Sequence, residues 1–303
     1  MEQPASSVPS TLQRVIHFYD TKYKQLMIIP IILFILAMVQ IGVQVATTGD
    51  FINKGVSLKG GSVITVLQPA DIDQLQQSLA AAFPQFSISV RGITDAGALI
   101  GITIESAAQT SEDIEAIVAL VRSQISLTDS DITIEITGAA LGEQFFAQTF
   151  RAMIAAFVLM GIVVFIYFRS FIPSVAVILA AFSDIVETIA IFNLLGMSLS
   201  TAGVAAFLML IGYSVDTDIL LTSRVLKRTE GTVLERIISS IKTGLTMTMT
   251  TLTAVIAALI FTNSEVIRQI MVILLIGLLL DMINTWIQNA GIVRMYAERK
   301  HAR

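Results

Sequence analysis

The chain of 303 residues contains no cysteine. That excludes a disulfide framework, a thiolate metal site and a cysteine nucleophile. It has two histidines, His17 and His301, both near the ends. Zinc ligation and histidine general-base chemistry inside an apolar interior therefore lack the residues they need. Charge is also scarce: 14% of residues are charged and 54% hydrophobic, where a soluble domain carries about 25% charged residues. Mean hydropathy is +0.79. No G-x-x-x-x-G-K-[ST] loop occurs, and Gly60-Gly61 after Lys59 lacks the spacing and following helix of a nucleotide motif. ATP hydrolysis is disfavoured, and no Ser/His/Asp set can be assembled. The expectation is a polytopic membrane protein that is not an enzyme, with no cofactor, no metal and no nucleic-acid partner.

Long apolar runs are what the chain has. Residues 1–25 are polar, include Pro4 and Pro9, and lack a small-x-small cleavage site before the first run. They read as a cytoplasmic segment leading into a retained helix. Six segments have the length a bilayer requires: 26–46, 151–168, 171–195, 199–222, 243–261 and 266–292. Lys and Arg set the orientation. Arg14, Lys22 and Lys24 precede the first span, and Arg169 lies between the second and third. Residues 223–242 form a basic link with Arg224, Lys227, Arg228, Arg236 and Lys242, and the tail 293–303 adds Arg294, Arg299, Lys300 and Arg303. All fall on one side of a six-span bundle, so both termini are expected in the cytoplasm.

Residues 47–148 are then an acidic extracytoplasmic insert. SVITVLQ, FSISVRGI, ALIGITIES and DITIEITG alternate as half-buried strands do. IDQLQQSLAAAF has helical spacing, and SEDIEAIVALVRSQI opens with Ser111 at the expected N-cap. The order β-α-β-β-α-β predicts a ferredoxin-like domain.

The apolar spans carry five acids: Asp184 and Glu187 in the third, Asp216 and Asp218 in the fourth, Asp281 in the sixth. A charge at the bilayer centre costs roughly 2.5–3.5 kcal/mol on insertion scales, so each needs a partner, a polar cavity or a proton. Asp184 and Glu187, three apart, share a helix face. Asp216 and Asp218, two apart, point about 160–200° away from each other. One is expected to face the bundle and the other a second subunit or water. Proton handling is the sharper reading of these acids. The plainer one is structural hydrogen bonding to Thr246, Thr250 and Asn284 on neighbouring spans. Tyr213, one turn before Asp216, could donate to it or be satisfied elsewhere. Gly212 and Gly244 read as sites of close helix approach.

Three stretches carry a resemblance: 55-GVSLKGGSV-63, with Gly55, Gly60 and Gly61; 211-IGYSVDTDILLTSRVLK-227, with Gly212; and 240-SIKTGLTMTMTTLTAV-255. Together with the layout of one helix, an insert of about 100 residues and five more helices, they resemble the SecF group of the SecD/SecF family in the RND superfamily. The resemblance covers nearly the whole chain. Asp216-Thr217-Asp218 stands where the common bacterial form has Asn-Asp-Thr, and Met247 where bacterial members have Arg; the chain looks more like the archaeal form. The resemblance implies a six-helix RND-like bundle in the cell membrane. It also implies assistance to preprotein translocation with SecD and a SecY-type translocon, among membrane lipids, driven by the proton motive force. On this reading Asp216 is the primary protonatable group and Asp184 its nearest partner. The alternative is a half-sized exporter of a hydrophobic or lipidic substrate.

Overall fold

The computed structural model describes residues 10–95, 98–125, 127–128, 131–262 and 264–301. Pro4, Pro9, the rest of 1–9 and residues 302–303 of the tail lie outside the described residues. The order is α1 (Ser10–Leu26), α2 (Ile28–Thr48), α3 (Val56–Lys59), β1 (Gly61–Val66), α4 (Ile72–Ala82), β2 (Ile88–Asp95), β3 (Ala98–Ser106), α5 (Ser111–Gln124), β4 (Ile132–Thr137), α6 (Ala139–Phe168), α7 (Phe171–Leu194), α8 (Thr201–Lys227), α9 (Val233–Phe261) and α10 (Glu265–Ile283). A π-helical segment, Asn284–Asn289, joins α10 to α11 (Ala290–His301).

Among the described residues, six helices are long and apolar enough to cross a membrane: α2, α6, α7, α8, α9 and the run Val266–Lys300. The helices extend beyond the apolar runs. Much of 223–242 is helical, because α8 continues to Lys227 and α9 begins at Val233, where Thr232 and Glu235 form a capping box. Arg236, buried in the turn, donates to the carbonyls of Val225 and Arg228. It thereby satisfies acceptors that a helix end leaves open. α7 is the central helix, with sixteen buried residues from Pro173 to Asn193. α2 and α6 lie at the periphery, where Leu36, Val39, Leu159 and Ile166 remain exposed. Val177, Ala181, Phe192, Phe207, Leu210 and Ile273 fill the main core.

The insert is a four-stranded antiparallel sheet in the order β2-β3-β1-β4. Alternation places Ile64, Val66, Val90, Ile102 and Ile104 on one face. There they pack with Leu75 and Leu79 of α4 and Ile114, Ile117 and Val121 of α5. The N-cap of α5 is Thr110, one residue before the expected Ser111; its hydroxyl accepts from the Asp113 N–H. β4 is an edge strand with Ile134 and Ile136 exposed. Before it, the Thr128 hydroxyl and N–H both donate to Asp131 Oδ2, and these bonds hold the Asp131 carboxyl below its ordinary value.

A hydrogen-bonded seam ties the insert to the bundle. Gly55 N–H donates to Leu199 O (2.8 Å) and Leu199 N–H to Asn53 O (2.6 Å). Asn193 Nδ2 donates to Phe51 O, and the Asn53 N–H to Asn193 Oδ1. Arg91 of β2 reaches Ser198 Oγ at 2.8 Å. Gly60 and Gly61 end this stalk at φ +86° and +137°, where a Cβ would strike Ala139 and the Ser106 carbonyl. No other residue fits both the dihedral and the space. Lys54 and Lys59 pair with Asp50 at 2.5 and 3.4 Å. Burial pushes the Asp50 carboxyl up, but the bonds and charges of the two lysines more than offset this and leave it below its ordinary value.

Candidate functional site

The spacing in each helix decides which polar groups meet. On α8 the buried positions Ser214, Thr217, Asp218, Leu221, Thr222 and Val225 recur at three and four residues and form one inward face. Asp218 is fully buried there. Asp216, about 160° around the helix, is exposed on the outer face with Gly212 and Tyr213. On α7, Asp184 and Glu187 are 0% and 2% exposed. On α10, Asp281 is fully buried.

The π-helical segment completes the site. Regular winding would set Asn284 and Asn289 about 140° apart. Wider winding with i→i+5 bonding, seen in the Ala290 N–H to Thr285 O bond, brings both side chains to the carboxyls. Asn284 Nδ2 donates to Asp184 Oδ1 (2.8 Å) and Glu187 Oε2 (3.0 Å). Asn289 Nδ2 donates to Asp218 Oδ1 at 2.6 Å. Ser214 Oγ donates to Asp184 Oδ2 at 2.5 Å. Thr217 Oγ1 lies 3.2 Å from Asp281 Oδ2. Thr285 Oγ1 lies 2.8 Å from Asp281 Oδ1 and 3.0 Å from Asp218 Oδ1.

Four carboxyls are thus gathered in one buried network. None forms an ion pair with Lys, Arg or His among the described residues. Their partners are neutral amides and hydroxyls. Thr285 has a single hydroxyl proton, so it can donate to Asp218 or to Asp281 but not to both. The second contact becomes a hydrogen bond only when the carboxyl brings the proton. Glu187 Oε1, Asp218 Oδ2, Asn284 Oδ1 and Asn289 Oδ1 are buried without a protein partner among the described residues. All four are acceptor oxygens or carboxyl oxygens open to a proton.

The structure departs from the sequence expectation at several positions. Asp216 is not brought to Asp184; Ser214 is, because positions 214 and 218 share the inward face. No hydrogen bond joins Tyr213 to Asp216 among the described residues. Thr246 and Thr250 donate to Lys242 O and Met247 O of their own helix and face outward. Gly212 meets no neighbour, whereas Gly244 is pressed against the Trp286 ring. Gly55, Gly60 and Gly61 lie in the stalk, away from the carboxyls. Sequence reading passed over Ser214, Thr217, Thr285 and Asn289. The density of polar residues in 284-NTWIQN-289 was the signal available.

A family model described as "Protein export membrane protein SecD/SecF, C-terminal" matches residues 116–299. A protein-export membrane protein SecF of Pyrococcus furiosus is 39% identical over 284 residues, covering 92% of this chain and 93% of its own. Its counterpart in Methanocaldococcus jannaschii is 37% identical, covering 93% and 98%. The crystal structure of SecDF from Thermus thermophilus, a translocon-associated membrane protein, superposes with a TM-score of 0.74 at 20% identity, covering 92% of this chain. The chain spans 38% of that longer protein.

Proposed function

The chain belongs to the SecD/SecF family of protein-export membrane proteins, on its SecF side, and from that membership we propose that it assists preprotein translocation together with a SecD-type partner and a SecY-type translocon. The buried carboxyl network carries the mechanistic part of this reading. Four carboxyls without a cation cannot all be ionised in a low-dielectric interior. The proton count at Thr285 adds that Asp218 and Asp281 share at least one proton when both contacts are made. Asp184, Glu187, Asp218 and Asp281 act as proton-binding groups, with Asn284 and Asn289 holding their geometry. Loading and unloading the network favours different helix arrangements. A proton moving through the full potential supplies about 2.3 kcal/mol per 100 mV.

Asp216, Tyr213, Thr246 and Thr250 have a different place in this reading. They are exposed polar groups on the outer faces of α8 and α9, which lipid would not solvate. A partner bundle covering them accounts for an exposed acid within an apolar span. The six-helix bundle is RND-like, and the insert is ferredoxin-like and extracytoplasmic. Its strand order supports the second reading, and the basic helix ends support cytoplasmic termini. The small-exporter alternative has no comparable support, since relatives matching nine-tenths of the chain carry the export name.

The test is preprotein export from inverted vesicles or cells carrying Asp218→Asn, with an imposed gradient. Removing one titrating group predicts at least a tenfold loss of gradient-stimulated export at unchanged membrane abundance. Unchanged stimulation would remove Asp218 from the mechanism.

A further inference from the structure

The helix α1 lies outside the carboxyl site, yet it reaches the π-helical segment. Between residues 13 and 24, Ile16, Tyr19, Asp20 and Tyr23 recur at three and four residues and are the shielded positions, while those between them are exposed. The shielded face is fastened to α11. Asp20 pairs with Arg294 at 2.5 Å, and Tyr23 donates to Glu298 Oε2 at 3.1 Å. The Arg294 guanidinium also lies 4.2 Å from the centroid of the Tyr23 ring. One turn back, Tyr19 packs against the cluster that holds Trp286, Ala290 and Val293. Its hydroxyl donates to Trp286 O at 3.0 Å. Burial pushes that hydroxyl up to about 12, so it keeps its proton at physiological pH.

The bonded carbonyl is the one that the wide turn passes over. Regular winding would give Trp286 O the N–H of Ala290, four residues on. That N–H goes instead to Thr285 O and Ile287 O. A carbonyl deprived of its usual donor inside a protein needs another. We infer that Tyr19 is a positioning residue for the carboxyl network, its hydroxyl supplying that donor and so holding the wide winding from outside the helix. The segment it holds carries Asn284 and Asn289, whose amides serve Asp184, Glu187 and Asp218. Without the Tyr19 hydroxyl, the segment gains by restoring the regular bond to Trp286 O. Regular winding sets the two amides about 140° apart, and one of them then leaves its carboxyl. α1 thus sets the geometry of groups that it does not touch. The inference deepens the proton-binding reading of the network and rests on it.

The test uses the full chain in nanodiscs, isotope-labelled at the tryptophan carbonyl. Trp286 is the chain's one tryptophan, so a single infrared band reports this bond. The wild-type band is expected at a hydrogen-bonded position, and Tyr19→Phe should shift it to higher frequency. The same variant should move the pH midpoint of the protonated-carboxyl infrared band by about half a unit or more. Tyr23→Phe removes the Glu298 bond one turn along and should leave both the band and the midpoint as in wild type. A wild-type band at the free-carbonyl position would overturn the inference without any variant. So would a midpoint unmoved in Tyr19→Phe, or equal effects of the two variants, which would reduce α1 to a general brace. A carboxyl band with no titration between about pH 4 and pH 9 is a separate result: it would sink the proton-binding reading and take the inference with it.

Discussion

Asn284 is the residue on which two buried carboxyls depend. Its single amide nitrogen serves Asp184 and Glu187, one proton to each. Replacing it with leucine of similar size removes both bonds and leaves two buried polar groups uncompensated, at roughly 1–3 kcal/mol each. Asn284→Leu is expected to lower the thermal midpoint by several degrees in detergent, whereas Asn284→Asp at low pH should recover part of it. An unchanged midpoint in the leucine variant would show that the carboxyls find other donors. The acids themselves were legible in the sequence, because a charged residue in an apolar run stands out. Which acid of 216 and 218 turns inward was not. Both choices satisfy helical spacing, and the decision rests on Ser214, Thr217 and Leu221 sharing a face with Asp218 against α7 and α10.

At the scale of elements, length and period were readable and winding was not. Six apolar runs gave six long helices, and period-2 alternation gave a small antiparallel sheet, since those patterns are set by one buried face each. The π-helical turn left no periodic trace. One extra residue in a turn looks, in sequence, like a slight drift of the polar face. Its packing has a cost that can be measured. Gly244 of α9 lets the Trp286 ring lie against the backbone of that helix, and a Cβ there would collide with the ring. Gly244→Val is expected to destabilise the bundle by roughly 1–3 kcal/mol through overpacking. It should also shift the emission of Trp286, the chain's one tryptophan, as the ring is displaced. Wild-type emission and stability would mean that the segment from Asn284 to Asn289 adjusts freely.

At the scale of the molecule, acid acts on the stalk. The Asp50 carboxyl is held below its ordinary value of 3.8 by Lys54 and Lys59. A folded value below the unfolded one contributes stability in full above about pH 3.8, and that contribution is lost as pH falls through the folded value. Amide exchange across residues 50–60, corrected for intrinsic rates, is expected to accelerate only as pH falls below about 3.8 in the wild-type chain. The pH dependence should be largely absent in a Lys54→Met, Lys59→Met variant. Equal acceleration in both would place the acid-sensitive contact elsewhere. The seam itself was beyond sequence reading, because it joins residues 51–55 to 193–200, about 140 positions apart, partly backbone to backbone and partly through the Asn193 amide.

That seam also fixes where movement can pass between the two halves. α7 and α8 carry Asp184, Glu187 and Asp218, and the same short turn connects their outer ends. Asp184 lies about 15 Å from that turn along α7 at 1.5 Å per residue. The stalk and Arg91 are stitched to the turn and to Asn193 in the last turn of α7. A tilt of the pair around the carboxyls is therefore expected to reach the sheet through this turn.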